Sequence, residues 1–184
     1  MPHNSNEGVS PGRKEAGEPM YENIISFIAK GTNSGKTYML ERIIEELKKR
    51  GRKVSAVKHS MHLPSIDREG KDTTKFAEKG ADRIILFSDN ALMLYEMMEP
   101  DIEHLTSLAT RDIDIVLVEG FKRGPFKKIE VFNKKLYENP LCLEQPSLDI
   151  IAVITDDSVD TGIPVFAFHD VEGICTFLEK HTRK

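Results

Sequence analysis

The chain has no tryptophan, only two cysteines and no surplus of positive charge: 26 lysines and arginines stand against 30 aspartates and glutamates in 184 residues, a net charge of -4. The last two shortages each argue against a class of function. Cys142 and Cys175 lie far apart with no Cys-x-x-Cys spacing, which speaks against a zinc knuckle or a disulfide framework and for two reduced thiols. The acidic balance speaks against a broad nucleic-acid surface, because binders of the phosphate backbone carry a clustered positive excess. No apolar run approaches the roughly 20 residues a membrane helix needs, and the N-terminal stretch lacks the apolar core of a signal peptide. The expected location is the cytoplasm, without membrane or nucleic-acid partners.

What is present is an alternation of short apolar runs and helical patterns, long enough for one α/β domain. Residues 1–22 are poor in apolar side chains and rich in Gly, Pro, Ser, Asn and Glu; they read as a disordered leader ahead of a single domain at 23–184. Residues 24–29 read as a strand, and 37–50 as a helix with Leu40, Ile43, Ile44 and Leu47 at helical spacing, stopped at Gly51. A strand at 53–58 and a helix at 72–79, with Asp72 as its N-cap and Gly80 as its stop, follow. Residues 83–87 and 91–98 flank Ser88-Asp89-Asn90 as a hairpin, and a short helix follows Pro100 and ends near Thr110. The continuous apolar run 113–118 is a strand buried on both faces. Further strands are expected at 128–132, 149–154 and 164–168, with a proline-containing loop through Asn139-Pro140 and Gln145-Pro146. Asp170 caps a last helix carrying Val171, Ile174, Phe177 and Leu178 on one face. The fold class is therefore α/β: a mainly parallel sheet with helices on both faces, the hairpin being its antiparallel departure.

Chemistry concentrates at Gly31-Thr32-Asn33-Ser34-Gly35-Lys36-Thr37, which lies between an apolar strand and an amphipathic helix. That context marks a P-loop: backbone N–H groups and the helix N-terminus face phosphates, Lys36 reaches the β/γ-phosphates and the Thr37 hydroxyl meets Mg²⁺. The pattern Gly-x-x-x-x-Gly-Lys-Thr places its first glycine at position 30, where this chain has Lys30 followed by Gly31. Either Gly31 opens a shortened loop, or Lys30 holds that position in a conformation a side chain can adopt.

The run Asp114-Ile-Val-Leu-Val-Glu119-Gly120 ends an apolar strand in a carboxylate, the usual way to deliver a second Mg²⁺-side or water-positioning group. Lys58-His59, Glu119-Gly120 and Thr155-Asp156-Asp157 all stand at carboxyl ends of strands, where ligands of open α/β sheets gather. His59 and His62 read as phosphate or carboxylate contacts rather than zinc ligands. Asp156 and Asp157 could take the paired N–H donors of a guanine edge or simply form a turn. No arginine finger can be named; Arg123 reads as a solvated loop arginine.

In order along the chain, Lys58-His59-Ser60 with His62, Gly70-Lys71-Asp72-Thr73, Gly80-Ala81, Val118-Glu119-Gly120-Phe121-Lys122, Lys128-Ile129-Glu130-Val131 and Ile154-Thr155-Asp156-Asp157 together resemble the molybdopterin-guanine dinucleotide biosynthesis protein B family, MobB. The resemblance covers about residues 23–179 and is most specific in the Glu-Gly-Phe-Lys and Lys-Ile-Glu-Val segments. It implies a GTP-binding, weakly hydrolysing homodimer that presents nucleotide to a molybdopterin guanylyltransferase partner. Lys36 and Thr37 then match the family's P-loop lysine and hydroxyl, Glu119 its acidic strand end, and Lys71 with Asp72 its Gly-Lys-Asp segment. Two readings compete with a weak GTPase: a non-hydrolysing nucleotide-dependent adapter, and a P-loop kinase or ligase acting on another small molecule.

Overall fold

The computed structural model describes residues 21–60, 71–99 and 101–182. Six strands form one sheet: β1 Ile24–Ile28, β2 Val54–Lys58, β5 Ile115–Glu119, β6 Lys127–Val131, β7 Ile150–Ile154 and β8 Val165–Phe166. Their spatial order is β2-β5-β1-β6-β7-β8, and every neighbouring pair is parallel. The sheet grows to one side of β1 with β2 and β5 and then to the other with β6, so the order switches beside β1. The crevice at its carboxyl end is where open α/β sheets take ligands.

The apolar runs are strands because both their faces are covered. Ile25, Phe27, Leu117, Ile129 and Ile154 point into one core with α1 (Lys36–Lys49) and α5 (Val171–His181). Ile24, Val116 and Val118 join the other core, to which Ala109 and Ile102 of α3 (Ile102–Thr110) belong. Each fully buried Ile, Leu or Phe contributes roughly 1.5–3 kcal/mol. The helix stops act as the sequence implies: Gly51 at φ 76° lets its N–H reach Lys48 and that of Arg52 reach Leu47. Asp170 caps α5 by accepting the Gly173 N–H at 3.0 Å.

Beyond α3, the second face of the sheet is closed by loops, and two buried charges on β6 hold them. The Lys128 ammonium donates to the carbonyls of Gly124 and Phe126 at 2.9 and 2.6 Å. The Glu130 carboxylate accepts the N–H groups of Leu141 and Cys142 at 2.7 and 3.0 Å, where the short helix α4 (Leu141–Glu144) begins. The expected loop around 139–146 is thus partly helical. Four residues carry too few turns for periodicity to announce them.

One further expectation is corrected. In α2 (Asp72–Glu78) Asp72 is the first helical residue and Lys71 the N-cap; the Asp72 side chain meets Lys75 at 3.3 Å rather than a backbone N–H, placing an acid in the first turn. The hairpin of β3 (Arg83–Ser88) and β4 (Ala91–Glu96) is a separate two-stranded sheet, turning at Asp89-Asn90, and neither strand pairs with the six-stranded sheet. At the amino end, residues 1–20 of the expected leader lie outside the described residues. Tyr21, assigned to it, packs edge-on against Phe126 at 5.2 Å.

Candidate functional site

The loop between β1 and α1 bounds a cavity of about 530 Å³ lined by residues 32–38 and Glu119. Helix α1 opens on it with Gly35 as N-cap, no capping side chain and no acid in its first turn. Its leading N–H groups and positive dipole end are therefore left to an external anion. Gly35 adopts φ 93°, and a Cβ there would stand 2.9 Å from the Phe168 ring, so both backbone and packing require glycine.

The departure at position 30 has a physical account. Lys30 keeps a negative φ, absent as it is from the left-handed residues Asn33, Asp112, Phe121 and Asp149. Its ammonium is drawn out of the loop to Glu144 of α4 at 2.6 Å and lies 5.6 Å from the centroid of the Tyr137 ring. At Gly31 a Cβ would meet the Tyr137 hydroxyl, so a larger residue there would have to push that ring aside. Of the two alternatives, Lys30 holds the position in a side-chain-tolerant conformation.

Within the loop, the Gly31 carbonyl accepts from the Lys36 ammonium at 2.9 Å and from the Ser34 hydroxyl at 2.8 Å. Burial pushes the Lys36 ammonium below the ordinary lysine range; Glu119 opposes that shift, while Lys122 and Lys58 add to it. A cation held in a positive, partly desolvated corner gains by meeting a polyanion.

Glu119 ends β5 directly across from Lys58 of β2. One of its carboxylate oxygens accepts the Thr37 hydroxyl at 2.9 Å and the other lies 3.3 Å from the Lys58 ammonium. Gly120 follows at φ 86° and Phe121 at φ 57°, turning the chain so that Phe121 stacks on His59 with centroids 5.0 Å apart. Lys36, Thr37, Lys58, His59, Glu119 and Gly120 thus occupy one rim. Thr37 and Glu119 supply a hydroxyl and a carboxylate oxygen, a donor set that fits a hard cation such as Mg²⁺.

Other expected site residues stand further out. The Asp156 carboxylate accepts the Phe168 N–H at 2.9 Å and that of Asp157 the Lys134 N–H at 2.8 Å. Both acids therefore fasten loops, one of which brings Phe168 onto Gly35. Lys71 and Asp72 open α2, and among the described residues neither makes a hydrogen bond or ion pair with the P-loop. His62 and Gly70 lie outside the described residues. Sequence reasoning missed Tyr137, Phe168 and the Lys30–Glu144 pair, whose partners are distant in the chain. It quoted Lys122 within a motif without assigning it to the phosphate site.

A family model described as molybdopterin guanine dinucleotide synthesis protein B matches residues 24–156. The molybdopterin-guanine dinucleotide biosynthesis adapter protein of Haemophilus influenzae is 33% identical over 153 residues, 80% of this chain and 83% of that one. The protein of the same name from Escherichia coli is 31% identical over 160 residues, 83% and 90% of the two chains. Among solved structures, Bacillus subtilis MobB superposes with a TM-score of 0.69 at 26% identity, covering 88% of this chain and 98% of that one. The parallel sheet agrees with the likeness in fold, and the chain belongs to the molybdopterin-guanine dinucleotide synthesis protein B family, MobB.

Proposed function

We propose that the chain binds GTP with Mg²⁺ and in that state serves the partner enzyme that joins a guanine nucleotide to molybdopterin, in molybdenum-cofactor biosynthesis. The relatives' designation as adapter proteins of molybdopterin-guanine dinucleotide biosynthesis supports the pathway. The observation that carries the nucleotide half is the Thr37–Glu119 contact at 2.9 Å beside Lys36, at the start of a helix with no side-chain cap. Lys36 would meet the β/γ-phosphates, and Thr37 and Glu119 would hold the metal. Bound there, Mg²⁺ would neutralise charge on the β/γ oxygens. Lys58 shares Glu119, so it either yields to the metal or turns toward the phosphates. The choice of guanine rests on the family, because the Asp156 and Asp157 carboxylates are engaged with backbone N–H groups.

Hydrolysis in this reading is slow. The described lining of the phosphate cavity contains no arginine, and Arg123 is exposed on its loop, so charge developing in the transition state would meet Lys36, its lysine neighbours, the helix N–H groups and the metal, without an arginine finger. The same fact favours the non-hydrolysing adapter as second reading, with nucleotide acting as a conformational ligand. Glu119→Gln separates metal from phosphate contacts: GTP binding without Mg²⁺ should change little, while the Mg²⁺ concentration for half-maximal enhancement should rise about tenfold. An unaltered Mg²⁺ titration would remove Glu119 from the site.

A homodimer is part of the proposal. Phe87 and Leu92 face each other across the hairpin and are 83% and 70% exposed, with Ile85 and Met93 also exposed nearby. A lone two-stranded ribbon is marginal in water, and such a patch marks an interaction surface. Phe87→Asp with Leu92→Asp should turn a dimer into a monomer by sedimentation velocity at micromolar protein; a variant that still sediments as a dimer would place the interface elsewhere.

A further inference from the structure

Beside the phosphate cavity, between the carboxyl ends of β2 and β5 and the start of α3, lies a second cavity of about 420 Å³. Its walls are mostly the apolar side chains of Val57, Val118, Ile102, Leu105 and Phe121, with His59 and Ser60 also on the lining. Two groups of opposite charge, on different elements, interrupt this lining: Lys58 at the end of β2 and Asp101 at the start of α3. Asp101 uses one oxygen to accept the Glu103 N–H at 2.9 Å, and a carboxylate has lone pairs left for further donors. Lys58 is 65% exposed, and its only ion pair among the described residues is the 3.3 Å contact to Glu119. The volume is that of a small-molecule site, and mostly apolar walls with a few polar groups are the lining such sites have.

The three features specify a ligand. Apolar walls that include the ring of Phe121, itself stacked on His59, accept a fused ring, Asp101 accepts an edge rich in N–H donors, and Lys58 attracts an anion. We propose that this cavity binds an aminated fused-ring heterocycle carrying an anionic group, the class to which a pterin phosphate belongs, and holds it beside the nucleotide. The inference rests on the phosphate-site reading for what lies next door, since Lys58 and Glu119 form the wall between the cavities. An anion drawn to Lys58 would loosen its hold on Glu119, leaving that carboxylate to the Thr37 side. Guanine presents a similar donor edge, so the same cavity could instead take the base of the nucleotide.

The test is fluorescence anisotropy of pterin-6-carboxylate titrated with the full chain, with and without saturating GTP and Mg²⁺, for wild type, Lys58→Ala and Leu105→Glu. Saturable binding is expected for wild type, about tenfold weaker in Lys58→Ala and abolished in Leu105→Glu, with GTP failing to displace the probe. Leu105→Glu should retain wild-type GTP affinity by calorimetry, which also reports that the variant is folded. Lys58→Ala, altering an exposed side chain, carries the test if Leu105→Glu does not fold. No saturable binding to wild type, or equal binding to wild type and Lys58→Ala, would overturn the proposal. Displacement of the probe by GTP would overturn it too, assigning the cavity to the nucleotide's own base. Failure of the phosphate-site reading registers separately, as absence of GTP heat in calorimetry while the pterin titration stays readable.

Discussion

Lys36→Ala is expected to weaken GTP binding by about 1.5–3 kcal/mol, roughly ten- to 150-fold, because it removes the charge-assisted contact to phosphate proposed for that lysine. Titration calorimetry measures it directly, and unchanged affinity would remove the P-loop from the account. The pH dependence has a definite sign. Burial lowers the pKa of Lys36 from 10.5 in the free protein, whereas a bound polyanion favours the charged form. Above the lowered value, binding must take up a proton, so wild-type affinity should fall as the solution is made alkaline, starting below pH 10.5. Lys36→Ala, already weak, should lack that limb of the profile.

The second large effect is expected at a residue that touches no ligand. Glu130 is fully buried and holds the first N–H groups of α4. Glu130→Ala leaves the Leu141 and Cys142 N–H groups without an acceptor, at a cost of about 2–4 kcal/mol in urea unfolding. Because α4 carries Glu144, the partner of Lys30, GTP affinity should fall as well. Glu130→Gln should cost less, since it keeps an acceptor and sheds a charge. Burial raises the Glu130 pKa above 4.5, against the pull of the Leu141 and Cys142 N–H groups. A carboxyl raised in the folded state stabilises most below its unfolded pKa, and the contribution is lost as pH rises through the folded value. Wild type should therefore lose stability relative to Glu130→Gln as pH climbs from below 4.5 toward neutrality. Parallel stability profiles for the two proteins would show that folding does not raise the Glu130 pKa.

Much of the proposed phosphate site was legible because its residues are local. Strand, glycine-bearing loop, Lys36-Thr37 and amphipathic helix are contiguous, and an apolar strand ending in Glu119 announces a carboxylate at a sheet rim. What the sequence could not show depends on contacts across the chain. Lys30 looked like a flaw in the loop until its partner Glu144, on a four-residue helix, was in view. Tyr137 and Phe168 explain Gly31 and Gly35 but come from other segments brought in by the sheet order. Lys128 and Glu130 alternate with apolar residues as in a half-exposed strand, yet both are buried because carbonyl and N–H groups of neighbouring loops satisfy them. The N-cap assigned to Asp72 missed by one residue: Asp, as an N-cap or as a first-turn acid, suits a helix start either way.

The central claim is that the loop at residues 31–37 is a working triphosphate site despite Lys30. Calorimetric titration of GTP and, separately, ATP into the wild-type chain, with Mg²⁺ and then with EDTA, tests it most directly. The account predicts saturable GTP binding that Mg²⁺ strengthens and weaker binding of ATP. A folded wild-type protein that gives no heat with either nucleotide would contradict it, leaving the chain to act through its partner without a bound triphosphate.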